Sequence, residues 1–418
     1  MGTAQTAKTG TAVQPRSGEA PAMLYLVYFI YFFCGLTQCF EGVFLPEFKE
    51  FFHLTYQQQM YTVFAKNIPF LAAVLLGSYL VRIGYKTCLA MAMTLYALGT
   101  FLLIAGLQAA HYEIVLLAFF LIGTGFTSQM VAGNPLLSLL GPPQSSSSRQ
   151  NLGNALGAVA QIIAPATVSL IIPAVAVSAS QKLPYMQALF ATLAIILLCV
   201  AVAVMLFGAK GSAEFLKPDS RQNMTPRTNI WSNSRVVFGF IVIFLVLGVE
   251  ASLFSFFRNF LEHPSIAGLT STQSQRLFTL YFALFALGRL LASWIQKRIK
   301  PSLHIAVHLI VASICLVVAI LAKGILAIVA VTLIGFFVSI FFPTLFAIAT
   351  ENIGELIGQA SGLLTLGFLG CAILPVLQGR LADSFGLQRS YFLGLLVYPI
   401  ALLYVMKLRK PQQSSKPA

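Results

Sequence analysis

The sequence predicts an all-α membrane protein of twelve transmembrane helices, and three observations lead to this fold class. Of the 418 residues, 58% are hydrophobic and only 9% are charged, with a mean hydropathy of +0.85. Soluble proteins of this length do not carry so much apolar surface. Apolar runs of about 18 residues or more, long enough to cross a bilayer, recur along the chain. A polar stretch at 208–234 divides them into two sets.

Each apolar run marks one predicted helix, since a helix of about 20 residues spans the hydrocarbon core. The predicted helices lie near residues 23–46, 57–81, 87–109, 112–140, 152–177, 184–208, 235–260, 274–297, 302–322, 324–349, 357–381 and 388–407. We therefore expect two six-helix halves, 23–208 and 235–407, joined by a cytoplasmic linker at 209–234. Residues 1–22 are small and polar, unlike a signal peptide, and are expected to form a disordered cytoplasmic tail. A second tail is expected at 408–418.

The net charge of +14 sets the orientation of the helices in the membrane. Most of the 26 Lys and Arg residues fall in the termini and in predicted loops on the same side as the termini, which agrees with the positive-inside rule. We therefore expect a multi-pass protein of the cell (inner) membrane with both termini in the cytoplasm, and no nucleic-acid partner. All six cysteines lie inside apolar runs, without the spacing of a disulfide framework or a metal site.

The two halves share landmarks that indicate a parallel repeat. Gly77 precedes SYLVRIGYK in the second predicted helix, and Gly288 precedes RLLASW in the eighth. Asn134-Pro135 in the fourth helix corresponds to Phe342-Pro343 in the tenth. Chance similarity between helices rich in Gly, Leu and Arg is the alternative. A repeat of this kind places a binding site between the halves, near the middle of the membrane.

Two charged residues lie at similar depth inside the first two predicted helices. Glu41 precedes the turn predicted at His53–Leu54, and Lys66 follows it. At about 1.5 Å per residue both lie about 18–20 Å from that turn, well inside the bilayer. Ionisable groups there usually mark a path for ions or substrates. The alternative is a structural ion pair that joins the two helices. We expect the two side chains to be within direct or one-water reach and to face a central cavity.

Several stretches resemble one transporter family in matching order. They are LPEFKEFFHLTYQQ, GSYLVRIGYK, GNPLLSLLGPPQSSSSRQNLGNALGAVAQIIAP, LGVEASLFSF, GRLLASW and FFPTLFAIATENIGELIGQASG. The chain is similar to the major facilitator superfamily and, within it, to the fucose–proton symporter family, which includes bacterial glucose/galactose transporters. The resemblance implies a twelve-helix, usually monomeric, secondary transporter. It also implies inward movement of a monosaccharide with a cation by alternating access.

The chain departs from this family at its membrane carboxylates. The family's acid in the first helix corresponds to Gly42, and the carboxylate lies one residue earlier, at Glu41. The family's acid in the fourth helix corresponds to Met130, beside the neutral Gln129. A shift of one residue turns a helical side chain by about 100°. Lys66 has no counterpart that the resemblance identifies.

Neutral amides and aromatic rings are the candidate sugar-binding groups, because hydroxyls need partners that donate and accept hydrogen bonds. Each amide is also a candidate for helix–helix packing. The candidates are Gln38, Asn67, Gln129, Asn134, Asn154 and Gln161 in the first half and Glu250, Phe254, Phe341 and Phe342 in the second. Glu250 contacts either sugar or cation, or serves helix packing. We expect polar recognition mainly in the N-terminal half and apolar contact in the C-terminal half.

The remaining charged residues are assigned to coupling or to gates. Glu41, Lys66 and Glu250 are the coupling candidates. Arg258 is expected to extend to the outer membrane interface. Gate contacts at the cytoplasmic side are expected from Arg82, Arg149, Arg289, Glu351 and Glu355.

The chain has no phosphate loop, nucleophile elbow or cluster of metal ligands in its sequence, so we expect no enzyme and no cofactor. Three functions remain open. The first is monosaccharide uptake coupled to a proton or a sodium ion. The second is a sugar transporter without coupling, in which Lys66 supplies the positive charge of the cation. The third is a drug or organic-anion transporter of the same fold.

Overall fold

The computed structural model describes residues 19–73, 76, 83–140, 146–173, 178–207, 230–296, 298–351, 360 and 363–409. The described part is helical and contains no strand. The first half contains α1 (Glu19–Val43), α2 (Leu45–Phe51), α3 (Tyr56–Asn67), α4 (Tyr85–Ala109), α5 (Tyr112–Leu139), α6 (Ser146–Ile171) and α7 (Ala179–Phe207). The second contains α8 (Ser234–Glu262), α9 (Ser271–Ile295), α10 (Pro301–Leu321), α11 (Ile325–Val338), α12 (Phe341–Ala349), α13 (Gly370–Phe385), α14 (Leu387–Ser390) and α15 (Phe392–Arg409).

Eleven stretches of the described residues are long and apolar enough to span a membrane. They correspond to all of the predicted helices except the second. That helix is described as α3 followed by a 3-10 segment at Ile68–Ala72, and part of its remainder lies outside the described residues. The first helix begins at Glu19, so the predicted boundary of the tail at residue 22 is too late.

The tenth predicted helix, 324–349, is broken, because α11 ends at Val338 and α12 begins at Phe341. Pro343 has no N–H group, so the carbonyl of Ser339 lacks its usual partner four residues along. That carbonyl instead accepts a hydrogen bond from Arg289 Nε at 3.0 Å. The Ser339 hydroxyl donates to the carbonyl of Phe336 at 2.7 Å. Side chains thus satisfy the backbone where the helix is interrupted.

The turn predicted at His53–Leu54 is present. Thr55 caps α3, because its side chain accepts from the backbone N–H of Gln58 while Gln58 accepts from the Thr55 N–H. Asp383 accepts two further N–H groups of the first turn, those of Tyr56 at 2.7 Å and Gln57 at 2.8 Å. This end of the bundle, opposite the termini, is called the distal end below. Here a carboxylate of the second half caps a helix of the first.

Two helix pairs form the largest contacts between the halves: α3 packs on α13, and α6 packs on α9. Within the first half, α4 packs on α5 and α7, and α1 packs on α6. Many large apolar side chains remain exposed on the outside of the bundle, including Leu170, Leu321 and Ile325. Such a surface suits lipid, since helices satisfy their own backbone groups there.

Small residues allow α5 to approach its neighbours closely. A Cβ atom at Gly123 would lie 1.9 Å from the carbonyl oxygen of Lys66. A Cβ at Gly125 would lie 2.7 Å from the carbonyl oxygen of Ala92. This pair therefore acts as a packing motif, as its place inside an apolar helix suggests. Gly123 also fixes the position of the helix turn that carries Lys66.

Candidate functional site

A central cavity lies between the two halves and consists of two adjoining chambers of about 180 and about 250 Å³. Together they fall within the range of about 300–1,000 Å³ typical of small-molecule sites. Residues of both halves line both chambers: Gln38, Lys66, Ala251, Phe254, Phe368 and Cys371. A ligand in this cavity would therefore touch both halves at once.

The first chamber contains Glu41 and Lys66, the charged pair predicted from the sequence. Lys66 Nζ lies 2.8 Å from Glu41 Oε2, and both residues line the chamber. The Glu41 side chain is 1% exposed and that of Lys66 is 13% exposed. The predicted geometry of this pair is confirmed, whereas its role in transport stays a prediction. Glu41 Oε1 is buried and has no hydrogen-bond partner among the described residues, so its capacity to accept a hydrogen bond is unused in the structure.

The second chamber contains another acid and another base, Glu250 and Arg289. They do not form an ion pair within 4.0 Å in the structure. Arg289 instead bonds to the Ser339 carbonyl, and its guanidinium lies 4.4 Å from the ring centroid of Phe285. We expected Arg289 at a cytoplasmic gate, but it lines the central cavity. The reason is that α9 extends beyond it to Ile295, which places it inside the bundle.

Three of the six predicted amides line the cavity. Gln38 lines both chambers, Asn67 the first and Gln161 the second. Gln129 is buried and lines neither chamber. Its Nε2 packs against Gly133, where an added Cβ atom would lie 3.1 Å from it. Asn154 is exposed and lines neither chamber. The side chain of Asn134 lies outside the described part of the structure.

One of the three predicted rings lines the cavity directly. Phe254 lines both chambers. Phe342 lies behind that surface, with its ring centroid 5.0 Å from that of Phe368. The prediction of a ligand contact at Phe341 is wrong for this structure, because its side chain is fully buried against Tyr398. Successive residues of a helix point in directions about 100° apart, so the two neighbouring rings cannot share one surface.

A charged cluster at the distal end was not predicted. Glu47 pairs with Arg258 at 2.8 Å and with Lys182 at 3.0 Å, and Arg258 also pairs with Glu262 at 2.6 Å. These four residues form what we call the distal cluster. The expectation that Arg258 extends to the membrane interface is wrong, since its side chain is 2% exposed. The four-residue spacing of Arg258 and Glu262 puts both side chains on one helix face, so the sequence could have predicted this ion pair.

Burial raises the pKa of the Glu47 carboxyl, but the nearby Arg258 guanidinium and Lys182 ammonium outweigh it and hold that pKa below its usual value. Glu47 lies in α2, outside the eleven candidate spans. The carboxylate is thus ionised across the physiological range of pH. Glu47 and Lys182 come from the first half and Arg258 from the second, so the cluster joins the halves.

The predicted gate residues at the other end are only partly described. Arg82 and Glu355 lie outside the described residues. Arg149 Nε donates to the carbonyl of Leu137 at 2.7 Å. Glu351 pairs with Arg235 at 2.8 Å, a contact within the second half. Neither of these two described contacts connects one half to the other.

Comparison with known proteins identifies the family. The model of the Major Facilitator Superfamily matches residues 27–373, which is most of the chain. The chain belongs to the Major Facilitator Superfamily. This major facilitator is 30% identical over 410 residues to a glucose/galactose transporter of Brucella abortus biovar 1 (strain 9-941), covering 95% of each chain. It is 24% identical over 398 residues to the L-fucose-proton symporter of Escherichia coli (strain K12), covering 90% of each.

The same fold occurs in a solved structure. The crystal structure of the major facilitator FucP in its outward conformation matches with a TM-score of 0.66 at 20% identity, covering 93% of this chain and 98% of that one. The predicted family and fold class are therefore confirmed. The presence of a twelfth spanning helix stays a prediction, because part of the second helix is not described.

Proposed function

We propose that this major facilitator imports a monosaccharide, a hexose or deoxyhexose, across the cell (inner) membrane by alternating access, with both termini in the cytoplasm. One observation carries the proposal: the central cavity combines amides from the first half with aromatic rings from both halves. The names of the relatives support the same substrate class.

The chemistry of the two walls suits a sugar. Gln38 and Gln161 supply carbonyl and NH₂ groups, which accept from and donate to hydroxyls. Phe254 and Phe368 supply flat apolar faces for the C–H surface of a sugar ring. The expected division between a polar and an apolar half stays a prediction, since Phe70, Phe119 and Phe126 of the first half also line the first chamber, and Glu250 and Arg289 add charge to the second half. We therefore assign Gln38 and Gln161 to hydroxyl recognition.

The contacts at the distal end support alternating access. The distal cluster, the cap by Asp383 and a hydrogen bond from Gln59 Nε2 to Asn259 Oδ1 at 3.1 Å all join the two halves there. A ligand that enters from the distal side requires these contacts to separate. Because the contacts are polar, water can replace the hydrogen bonds when the halves part.

A facilitator without coupling is the second candidate, and one observation favours it. Glu41 is already paired with Lys66, so the first chamber has a fixed positive charge where a coupled cation would otherwise bind. In this alternative the protein equilibrates sugar and cannot concentrate it. The organic-anion alternative would use the same Lys66 to bind an anionic group.

Uptake into proteoliposomes tests these functions. We would measure entry of radiolabelled D-glucose, D-galactose and L-fucose under an imposed proton gradient, an imposed sodium gradient or no gradient. Accumulation above the external concentration under one gradient supports coupled uptake by that cation. Entry that stops at equal concentrations under every gradient supports the facilitator. Absence of entry for all three sugars, with protein that remains folded, would exclude the proposed function and direct the search to organic anions.

A further inference from the structure

The second chamber contains a buried carboxyl group, that of Glu250. The Glu41–Lys66 pair of the first chamber does not account for its role. Glu250 lies in α8 and its Oε2 is buried without a hydrogen-bond partner among the described residues. Its carboxyl faces the chamber of about 250 Å³. No Lys or Arg nitrogen of the described residues lies within 4.0 Å of it. Glu41, by contrast, has a full countercharge at 2.8 Å.

The groups that face Glu250 come from every side of the chamber. Arg289 and Tyr281 of α9 and Cys371 of α13 line the chamber, whereas Tyr398 of α15 is buried outside it. Across the chamber are Lys66 of α3 and Cys39 of α1. The charged side chains of Arg289 and Lys66 place positive charge in the chamber, more than 4.0 Å from the Glu250 carboxyl. The Tyr281 hydroxyl has no hydrogen-bond partner among the described residues. Glu250 is therefore the acid of this chamber that can change its charge without breaking an ion pair.

Arg289 links this chamber to the interruption between α11 and α12. Its Nε holds the Ser339 carbonyl, which Pro343 leaves without a backbone partner. The contact between the two helices is close, because a Cβ at Gly288 would lie 2.4 Å from the Ser339 hydroxyl oxygen. A displacement of the Arg289 side chain towards the chamber would thus remove the hydrogen bond that satisfies this carbonyl.

We propose that Glu250 is the site that binds the coupling proton, and that Arg289 transmits its charge to the break between α11 and α12. The inference rests on the proposed sugar transport. The proton comes from water on one side, forms one O–H bond on the Glu250 carboxyl, and returns to water on the other side. The ionised carboxylate attracts the guanidinium of Arg289 into the chamber. The neutral acid leaves Arg289 on the Ser339 carbonyl, as in the structure.

This assignment gives separate tasks to the two acids of the cavity. The Glu41–Lys66 pair keeps its charges throughout the cycle and contributes no net charge to the first chamber. Glu250 changes its protonation when the chamber opens to a different side. The coupling acid is then Glu250 in the second half, beside the break between α11 and α12. Glu41 in the first half stays paired with Lys66 and does not bind the coupling proton.

Transport by reconstituted Glu250→Gln tests the coupling. With one proton per sugar, a gradient of about two pH units can concentrate sugar about 100-fold in the parent. Glu250→Gln imitates the protonated form, so it should exchange labelled for unlabelled sugar but stop at equal concentrations. Glu113→Gln makes the same change at an exposed position of α5 and should accumulate sugar as the parent does. Full accumulation by Glu250→Gln would overturn the proposal.

Infrared difference spectra between about pH 5 and about pH 9 test the site without any sugar. The parent should show the carbonyl band of a carboxylic acid that appears on acidification. The band should persist in Glu41→Gln and disappear in Glu250→Gln, and its persistence in Glu250→Gln would overturn the assignment. If the parent transports no sugar, the proposed function fails, and these spectra still decide whether Glu250 binds the proton.

Arg289→Lys tests the second part of the proposal. The variant keeps a positive charge but loses the planar fork that reaches both the chamber and the Ser339 carbonyl. It should retain the Glu250 carbonyl band and sugar exchange, while accumulation under the proton gradient falls at least about tenfold. Accumulation equal to the parent would show that Arg289 does not transmit the charge.

Discussion

Glu47 of the first half and Arg258 of the second form an ion pair of 2.8 Å in which both side chains are almost completely buried. The pair is bidentate, because a second guanidinium nitrogen of Arg258 lies 2.9 Å from the other carboxylate oxygen. Arg258 also donates to the backbone carbonyl of Val43, where α1 ends. The pair therefore joins the end of the first helix to α8, at the distal entrance to the cavity.

We predict that Glu47→Gln opens the distal end. The change leaves Arg258 and Lys182 buried with only Glu262 as a countercharge, and loss of one partner from a buried pair costs about 3–5 kcal/mol. The distal-closed state should therefore lose at least about 100-fold in relative population. A membrane-impermeant maleimide, added from the distal side, should label Cys39 of the second chamber faster than in the parent.

That labelling requires a background in which Cys39 is the remaining cysteine, since the chain contains six. Glu113→Gln in the same background is the matched control and should label as the parent does. Equal labelling of Glu47→Gln and the parent would show that the distal cluster does not hold the entrance closed.

The stabilisation from Glu47 should disappear in acid. Its pKa is lowered by Arg258 and Lys182 in the closed state, relative to a usual value of about 4.3 for glutamate. A lowered pKa contributes stability that is complete above the usual value and is lost as pH falls through the lowered one. The difference in melting temperature between the parent and Glu47→Gln should thus be constant from about pH 6 to 8 and shrink below about pH 4. A difference that grows in acid would contradict this assignment.

We predict that Lys66→Ala makes transport more dependent on pH between about 5 and 8 than in the parent. Without its countercharge at 2.8 Å, the buried Glu41 carboxylate tends to bind a proton. The double change Glu41→Gln with Lys66→Ala removes the added titrating group and should lose the added dependence. Sugar exchange measured across this pH range checks both variants. An unchanged pH profile for Lys66→Ala would show that the pair does not set the charge of Glu41.

We expect Gln38→Ala and Gln161→Ala to weaken sugar binding by about 1–3 kcal/mol each, because each leaves sugar hydroxyls without a partner in a desolvated site. That range corresponds to a dissociation constant roughly 5- to 150-fold higher. Gln108→Ala, at an exposed position near the end of α4, is the control and should bind as the parent does. Isothermal titration calorimetry measures the three variants. Unchanged affinity for both cavity variants would place hydroxyl recognition elsewhere.

Gly123→Ala should displace Lys66 from its position beside Glu41. The added methyl group would lie 1.9 Å from the carbonyl oxygen of Lys66, which is backbone and cannot rotate away. Overpacking of this kind costs about 1–3 kcal/mol or more, so both the melting temperature and transport should fall. Gly157→Ala is the comparison, since its Cβ has one neighbour within 4 Å, at 3.3 Å. Equal stability of the two variants would show that α3 and α5 separate easily.

The sequence by itself determined which segments enter the membrane and which of them carry charge. Hydrophobic runs of sufficient length must leave water, and this requirement depends only on composition along the chain. The proximity of Glu41 and Lys66 was predictable for a similar reason. The chain reverses direction at His53–Leu54, and Leu54 lies thirteen residues after Glu41 and twelve before Lys66, so the two side chains reach nearly the same depth.

Only the tertiary structure decided which side chains meet across the bundle. Glu47 and Arg258 are separated by 211 residues, and Arg289 and Ser339 by 50, so their contacts depend on how whole helices pack and rotate. A rotation of about 100° per residue determines whether a side chain faces the cavity, another helix or lipid. For this reason Phe254 faces the cavity while Phe341 is buried, although both are rings in apolar helices. Packing between helices sets that rotation, and the order of residues along one helix does not reveal it.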